Sequence, residues 1–288
     1  MTHTASSSSS PSTAPILVLG GTGKTGRRVA AELARRGHTA RPASRRGDTR
    51  FDWSDPDTWA AAIDGARAVY LVDSETPEAP DQVRAFVRLA ADQGVERLVL
   101  LSARVWEELD NGSREGLAVE DAVTGSGLAW TILRPAWFAQ NFTEAPFVNT
   151  LLTTGELRLP TGEGREAFVD LDDLAEVAAV ALTEDGHAGR TYVLSGPRAL
   201  TFGEAVAEIS AAADRPLTFV ALTDEEYLAE QKAAGVPQEM ADLLLYLFQH
   251  IRADGSAAIG DGVRRALGRE PRDFSVYTGG TDFSAPRA

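Results

Sequence analysis

Seven residues near the amino terminus, Gly20-Gly21-Thr22-Gly23-Lys24-Thr25-Gly26, carry the clearest chemical pattern in the chain. They satisfy both G-x-x-G-x-x-G (Gly20, Gly23, Gly26) and G-x-G-x-x-G (Gly21, Gly23, Gly26). Glycines at this spacing allow a tight turn and bring backbone N–H groups close to a pyrophosphate. They also let the following helix pack against the preceding strand, with the anion on the helix N-terminus. The context agrees, because Ile16–Leu19 is a short apolar run of the kind buried on both faces of a sheet, and a helix to about Arg36 stops at Gly37. A P-loop would need a glycine five positions before Gly23, where Val18 stands, so that alternative fails.

The end of the second strand bears on which dinucleotide fits. An NAD site places an acid about 20 residues beyond the glycines, on the ribose hydroxyls. This chain has Ser44-Arg45-Arg46 instead, with no acid between Glu32 and Asp48. Arginine's planar fork suits a 2′-phosphate, which favours NADP(H). Residues 15–50 hold nine basic side chains against two acidic ones, in a chain with 28 Lys+Arg, 42 Asp+Glu and a net charge of −14. A basic island in an acidic protein points to a small anionic ligand, while the overall charge disfavours nucleic acid. Arg27, Arg28, Arg35 and Arg36 read as a solvated helix face.

Those residues must be held by regular elements. The strand candidates after the first are Ala40–Ser44, Arg67–Val72, Arg97–Ser102 and Ala129–Arg134, separated by helical patterns near Pro56–Ile63, Asp81–Gln93 and Arg114–Thr124. This alternation predicts an α/β fold with a doubly wound parallel sheet, covered by helices on both faces. Pro42 predicts a bulge or an early strand end, since proline cannot donate to an inner ladder. Phe168–Leu182 reads as a strand end entering a helix, Arg190–Ser195 as a further strand, and Thr201-Phe-Gly-Glu204 as a capping box opening a helix to about Ala213. Helices near Asp224–Ala234, Gln238–Ile251 and Gly262–Leu267 complete a smaller, mostly helical C-terminal lobe. The expected division is a Ser-rich disordered tail at 1–14, a nucleotide-binding core at 15–140 with strands returning at about 165–195, and a substrate lobe at 141–288.

The 288 residues contain no cysteine and four histidines, none spaced to pair on one helix, so thiol chemistry is excluded and a metal site is not expected. No apolar run approaches the roughly 20 residues of a membrane span. The tail has neither a basic nor an apolar segment of a secretory signal, which points to a cytoplasmic protein.

The segments ILVLGGTGKTGRRVA, ASRR, LVLLSA, WTILRPAWFAQNF and FVDLDDLAEVAAVAL together resemble the NmrA-like atypical short-chain dehydrogenase/reductases. Within that group they are most similar to the ergot-alkaloid-type reductases and their bacterial relatives. The resemblance runs in order over about residues 15–278. It implies a Rossmann core whose Thr22, Gly23, Lys24 and Thr25 hold phosphates, with Arg45 on the 2′-phosphate. Asp52 and Trp53 would flank adenine, and Leu71, Val72 and Asp73 would line the ribose path. Ser102 would lie near the nicotinamide ribose, and Pro135, Ala136, Trp137 and Phe138 along the nicotinamide.

One departure matters. Many short-chain dehydrogenases use Tyr-x-x-x-Lys to exchange a proton with a carbonyl oxygen. Only Lys24 and Lys232 occur here; Tyr227 lies five residues before Lys232, and Gly116 stands where the family often keeps a lysine. Ordinary alcohol–ketone chemistry is therefore in doubt. An iminium, a quinone or a conjugated enone needs no such dyad, because hydride goes to an electrophilic atom and water can supply the proton. Ser102 is the preferred single catalytic candidate. Glu107, Glu108 and Asp110 also follow the fifth strand, but solvent or helix-end roles suit them better. Trp106, Trp137, Phe138, Phe142, Phe147, Tyr246 and Phe248 are candidates for an apolar pocket, with Trp106 and Trp137 favoured because each follows a strand's carboxyl end. On the 238–252 helix, Leu243, Leu244, Leu247 and Ile251 read first as core, then as a lid or dimer face.

The expected function is an NADPH-dependent reductase of a small apolar, aromatic or polycyclic acceptor. A dinucleotide sensor without turnover and a non-redox cyclase or isomerase on the same scaffold remain alternatives, and self-association as a homodimer stays open.

Overall fold

The computed structural model describes residues 14–108, 114–144 and 150–283. Seven strands form the main sheet: β1 (Ile16–Leu19), β2 (Ala40–Ser44), β3 (Thr49–Arg50), β4 (Ala68–Leu71), β5 (Arg97–Leu101), β6 (Ala129–Pro135) and β9 (Arg190–Leu194). Their order is β3-β2-β1-β4-β5-β6-β9, and every pairing is parallel. The order reverses beside β1, which opens a crevice above its carboxyl end.

Alternate residues explain the continuous apolar strands. Ile16 and Val18 enter one core with Val29 and Leu33 of helix α1 (Lys24–Arg35) and with helix α8 (Leu171–Thr183). Leu17 and Leu19 enter the opposite core, against α2 (Trp59–Ile63), α3 (Ala79–Asp92) and α5 (Arg114–Thr124). Both faces are covered at the centre of the sheet, so β1 and β4, buried at every position, leave none for polar alternation.

Pro42 causes neither a bulge nor an early stop. Ala43 O accepts from Gly21 N at 2.9 Å, so the polar groups of Ala43 face the β1 side and those of Pro42 face the other way. There β3 reaches only Ala43 and Ser44, and Pro42 sits where no ladder donor is required.

The lobe has its own core, built around Phe142, Phe168, Phe202, Phe248 and Phe274. Its elements include α6 (Asn141–Glu144), α7 (Thr150–Thr154), and two small sheets that pair β7 (Glu156–Leu159) with β11 (Thr218–Ala221) and β8 (Arg165–Glu166) with β10 (Leu200–Thr201). Helices α9 (Phe202–Ala212), α10 (Asp224–Ala233), α11 (Gln238–Arg252) and α13 (Phe274–Gly280) complete it. The capping box at Thr201 forms in full: Glu204 N donates to Thr201 Oγ1 and Thr201 N to Glu204 Oε2. Helix α12 (Gly262–Leu267), which the sequence pattern assigns to the lobe, packs instead on α8 and β9 in the sheet layers. Among the described residues no helix is long and apolar enough to cross a membrane.

Candidate active site

The glycine-rich turn is fixed by what its glycines lack. Gly20 adopts φ +62°, a left-handed backbone that favours glycine. A Cβ on Gly26 would come within 2.2 Å of Gly20 O, so α1 can approach the turn only without a side chain there. Thr22 and Gly23 stay exposed at the α1 N-terminus, whose first turn carries no acid. An anion seated there meets the N–H groups of the first helical turn and the positive end of the helix.

The remaining residues of the expected nucleotide site separate into two groups. Arg45 and Arg46 are exposed just beyond β2. Other arginines of the island are engaged: Arg41 donates to the carbonyls of Ala62 and Asp64, and Arg50 pairs with Asp55. Ser44 lies half-buried at the strand end, and Asp52 turns back to accept from Ser54 N and Oγ. Trp53 donates from Nε1 to Val72 O at 3.0 Å and packs edge-on to Phe51 and Phe86. Thr25 turns inward beside Tyr70, at 7% exposure, and Leu71 is fully buried in the core.

Lys24 does not stand at the turn's open face. Its Nζ donates to Asn141 Oδ1 at 2.7 Å and lies 5.9 Å from the centroid of Phe138. Burial, more than its charged neighbours, lowers its pKa. The helix face expected to be solvated is exposed at Arg27 and Arg35 and half-buried at Arg28 and Arg36, and all four arginines form ion pairs. Arg27 and Arg28 both bind Glu144 of α6, whose side chain is 7% exposed, and Arg35 and Arg36 both bind Glu32. Burial would raise the Glu144 carboxyl, but Arg28 and Arg27 hold it below its ordinary value.

A cavity of about 560 Å³ opens at the carboxyl edge of the sheet. Val72 and Asp73 line it beyond β4, Ser102 through Trp106 beyond β5, and Pro135 through Phe138 beyond β6. Ser102 N donates to Leu133 O and Arg104 N to Pro135 O, so the strand ends remain paired as they enter the site. Burial raises the pKa of Asp73. The opposite wall is α11, which divides its apolar residues: Leu245, Phe248 and Ile251 enter the lobe core and Ala241 is buried, while Met240, Leu243, Leu244 and Leu247 line the cavity, Leu244 also packing against the core. This division departs from the expected single row of Leu243, Leu244, Leu247 and Ile251, although Met240, Leu243, Leu244 and Leu247 carry the i, i+3, i+4, i+7 spacing of one helix face.

Trp106 lies against Gly116. A Cβ on Gly116 would fall 2.5 Å from the indole Cγ, so the ring occupies the space that a side chain at 116 would need. Trp137 lines the cavity and also packs on Phe248 at 5.4 Å. Two expected substrate residues lie elsewhere. Phe142 is buried in the lobe core at 1% exposure, and Tyr246 is not among the cavity residues, because its position on α11 faces neither the lining row nor the core. Asp110 and Phe147, like residues 1–13, fall outside the described residues, as does the side chain of Glu108.

Two groups carry the site without a clear signal in the sequence. Arg104, 5% exposed, pairs with the fully buried Glu166 and donates to Ala258 O at 2.8 Å, tying the end of β5 to the lobe. Gln140 donates to Asp170 Oδ1 at 2.9 Å and accepts from Leu171 N at 3.0 Å, so the QNF and VDLDD segments interlock at the start of α8.

The sheet order, the glycine turn and the adjoining cavity define a dinucleotide-binding α/β enzyme, and the α1 N-terminus that the turn opens fits a pyrophosphate. Residues 20–185 match the family described as NAD(P)H-binding. The chain belongs to this family and is an NAD(P)-dependent oxidoreductase. It is 33% identical over 280 residues to an NAD(P)H azoreductase of Xenophilus azovorans, covering 91% of this chain and 96% of that one. It is 30% identical to festuclavine dehydrogenase of Aspergillus fumigatus, covering 90% and 94%. In fold it is similar to an NADPH-dependent quinone oxidoreductase of Escherichia coli, solved with NADPH, at a TM-score of 0.74, 22% identity, and 91% and 98% coverage.

Proposed function

We propose that the protein is an NADPH-dependent reductase of a small, largely apolar, aromatic or polycyclic acceptor of the iminium, quinone or enone type. The observation that carries this reading is the composition of the cavity wall. Trp106, Trp137, Leu243, Leu244 and Leu247 face a space that adjoins the glycine turn, while no tyrosine and no lysine lines it among the described residues.

The cofactor supplies a hydride. The chain's own part is to bind, orient and exclude water. Arg45 at the end of β2 is the candidate for the 2′-phosphate, and the α1 N-terminus for the pyrophosphate. Val72 lies beside the turn, where a Cβ on Gly20 would come within 3.7 Å of its side chain, and it also lines the cavity, so the nucleotide and acceptor regions adjoin. Apolar burial against α11 favours planar hydrocarbon surfaces, on the order of 25 cal/mol per Å² removed from water. The azoreductase and quinone oxidoreductase among the similar proteins act on acceptors whose reduction does not begin from a simple alcohol–ketone pair, which supports the same reading.

The test is NADPH consumption by the purified protein over iminium, quinone, enone and simple ketone acceptors, with product identification. Turnover on one of the first three classes, and not on the ketones, is the expected result. Turnover confined to ketones would overturn the acceptor assignment. Silence across the panel with NADPH tightly bound would favour a sensor.

A further inference from the structure

Ser102 stands at the cavity wall with its hydroxyl already committed. Its Oγ donates to Glu120 Oε1 at 2.6 Å. Arg134 grips the same carboxylate, with Nε on Oε1 at 2.9 Å and Nη2 on Oε2 at 2.6 Å. Glu120 is 5% exposed, and Arg134 is held in place by a second pairing with Glu107. Arg134 lies on β6, Glu120 on α5 and Ser102 directly after β5, all in the sheet layers.

A carboxylate has acceptor sites only, and a serine has one hydrogen. With both Glu120 oxygens held by guanidinium donors, the Ser102 hydrogen must point at Glu120. What Ser102 turns toward the cavity is therefore lone pairs. We propose that Glu120, locked by Arg134, is a positioning residue that fixes Ser102 as a hydrogen-bond acceptor in the cavity, matched to an N–H or O–H donor on the bound ligands. Ser102 is then not a proton donor to a substrate oxygen, the role a serine after the fifth strand would take beside a Tyr–Lys pair. The chemistry fits the amide NH₂ of a nicotinamide carboxamide, or an N–H or O–H on the acceptor side. The inference rests on the dinucleotide reading of the site, and its test is separable from that reading.

The test reads binding rather than turnover. NADP⁺ and its 3-acetylpyridine analogue, in which a methyl replaces the amide NH₂, are titrated calorimetrically into the wild type and into Ser102→Ala, Ser102→Thr and Glu120→Gln. The wild type should prefer NADP⁺ about five- to tenfold, the value of one net hydrogen bond. Ser102→Ala should bind the two equally, Glu120→Gln should lose most of the preference, and Ser102→Thr should keep it. A merely structural role would lower both affinities together and leave their ratio unchanged. Ser102→Ala leaves the Glu120–Arg134 pair in place, so the ratio can be read even where Glu120→Gln fails to fold.

A second arm titrates 1-naphthylamine and its N,N-dimethyl derivative into the NADP⁺-saturated protein. A preference for the free amine that Ser102→Ala abolishes, with the cofactor ratio unchanged, would keep the acceptor role and assign the donor to the acceptor side. Overturning the proposal takes ratios that ignore Ser102 in both arms. Failure of the wild type to bind either dinucleotide would instead remove the nucleotide reading, and this inference with it.

Discussion

The glycine turn and the cavity wall adjoin, yet they are built by different means. The turn uses backbone: Gly20, Gly23 and Gly26 lie within seven residues, from the end of β1 into the first turn of α1, and what matters is the side chains they lack. The wall uses side chains gathered from across the chain. Arg104 reaches Glu166 and Ser256, 62 and 152 residues away, and Lys24 reaches Asn141 across 117. A site made of backbone conformation repeats a local pattern, whereas one made of distant side chains leaves no pattern of its own.

Substitutions can separate these two regions. The largest effect is expected from Gly26→Val, whose Cβ would enter the space of Gly20 O. Dinucleotide affinity should fall by more than about 100-fold, or about 2.7 kcal/mol, in a fluorescence titration. Unchanged affinity would mean that the turn is not the pyrophosphate site. Arg45→Ala should weaken NADPH about 10- to 100-fold, in line with one or more charge-assisted hydrogen bonds, and leave NADH nearly unaffected. Equal losses for both cofactors would remove Arg45 from the 2′-phosphate.

The lobe can be probed through its own distant pairing. Asp273 caps α13 and binds Arg198, and this pairing, together with Ser275, holds its carboxyl well below the usual carboxylate range. A depressed carboxyl contributes stability above its unfolded pKa, near 4, and loses it as the pH falls toward the folded value. Asp273→Asn, which retains a capping side chain, should cost about 1 kcal/mol at neutral pH, since the pair is partly exposed. That difference should shrink as melting is followed below pH 4; a constant gap would assign the effect to packing. The smallest change is expected from Leu243→Ala, a cavity residue that is 43% exposed. Acceptor KM should rise about two- to fivefold, consistent with a modest loss of buried apolar area, while cofactor affinity stays constant. A matching loss of cofactor affinity would show that the two regions are not separable.

Much of the local structure was legible in the chain. β1, β2, α5 and α12 have the bounds that their apolar patterns predict, and Thr201-Phe-Gly-Glu204 forms its cap, because these depend on neighbours in sequence. Pro42 misled because its tolerance depends on the length of β3, a property of the partner strand. Arg28 misled because Glu144, which it binds, arrives from another part of the chain.

The sequence by itself determined the alternating α/β order and the phosphate-ready turn, since strand burial, helix capping and glycine conformations act over a few residues. Only the tertiary structure decided which face of α11 meets the cavity, that Trp106 fills the space beside Gly116, and that Glu120 orients Ser102. Each of these is a contact between elements brought together by the packing of the sheet and the lobe, and a side chain's role there depends on which atoms end up opposite it.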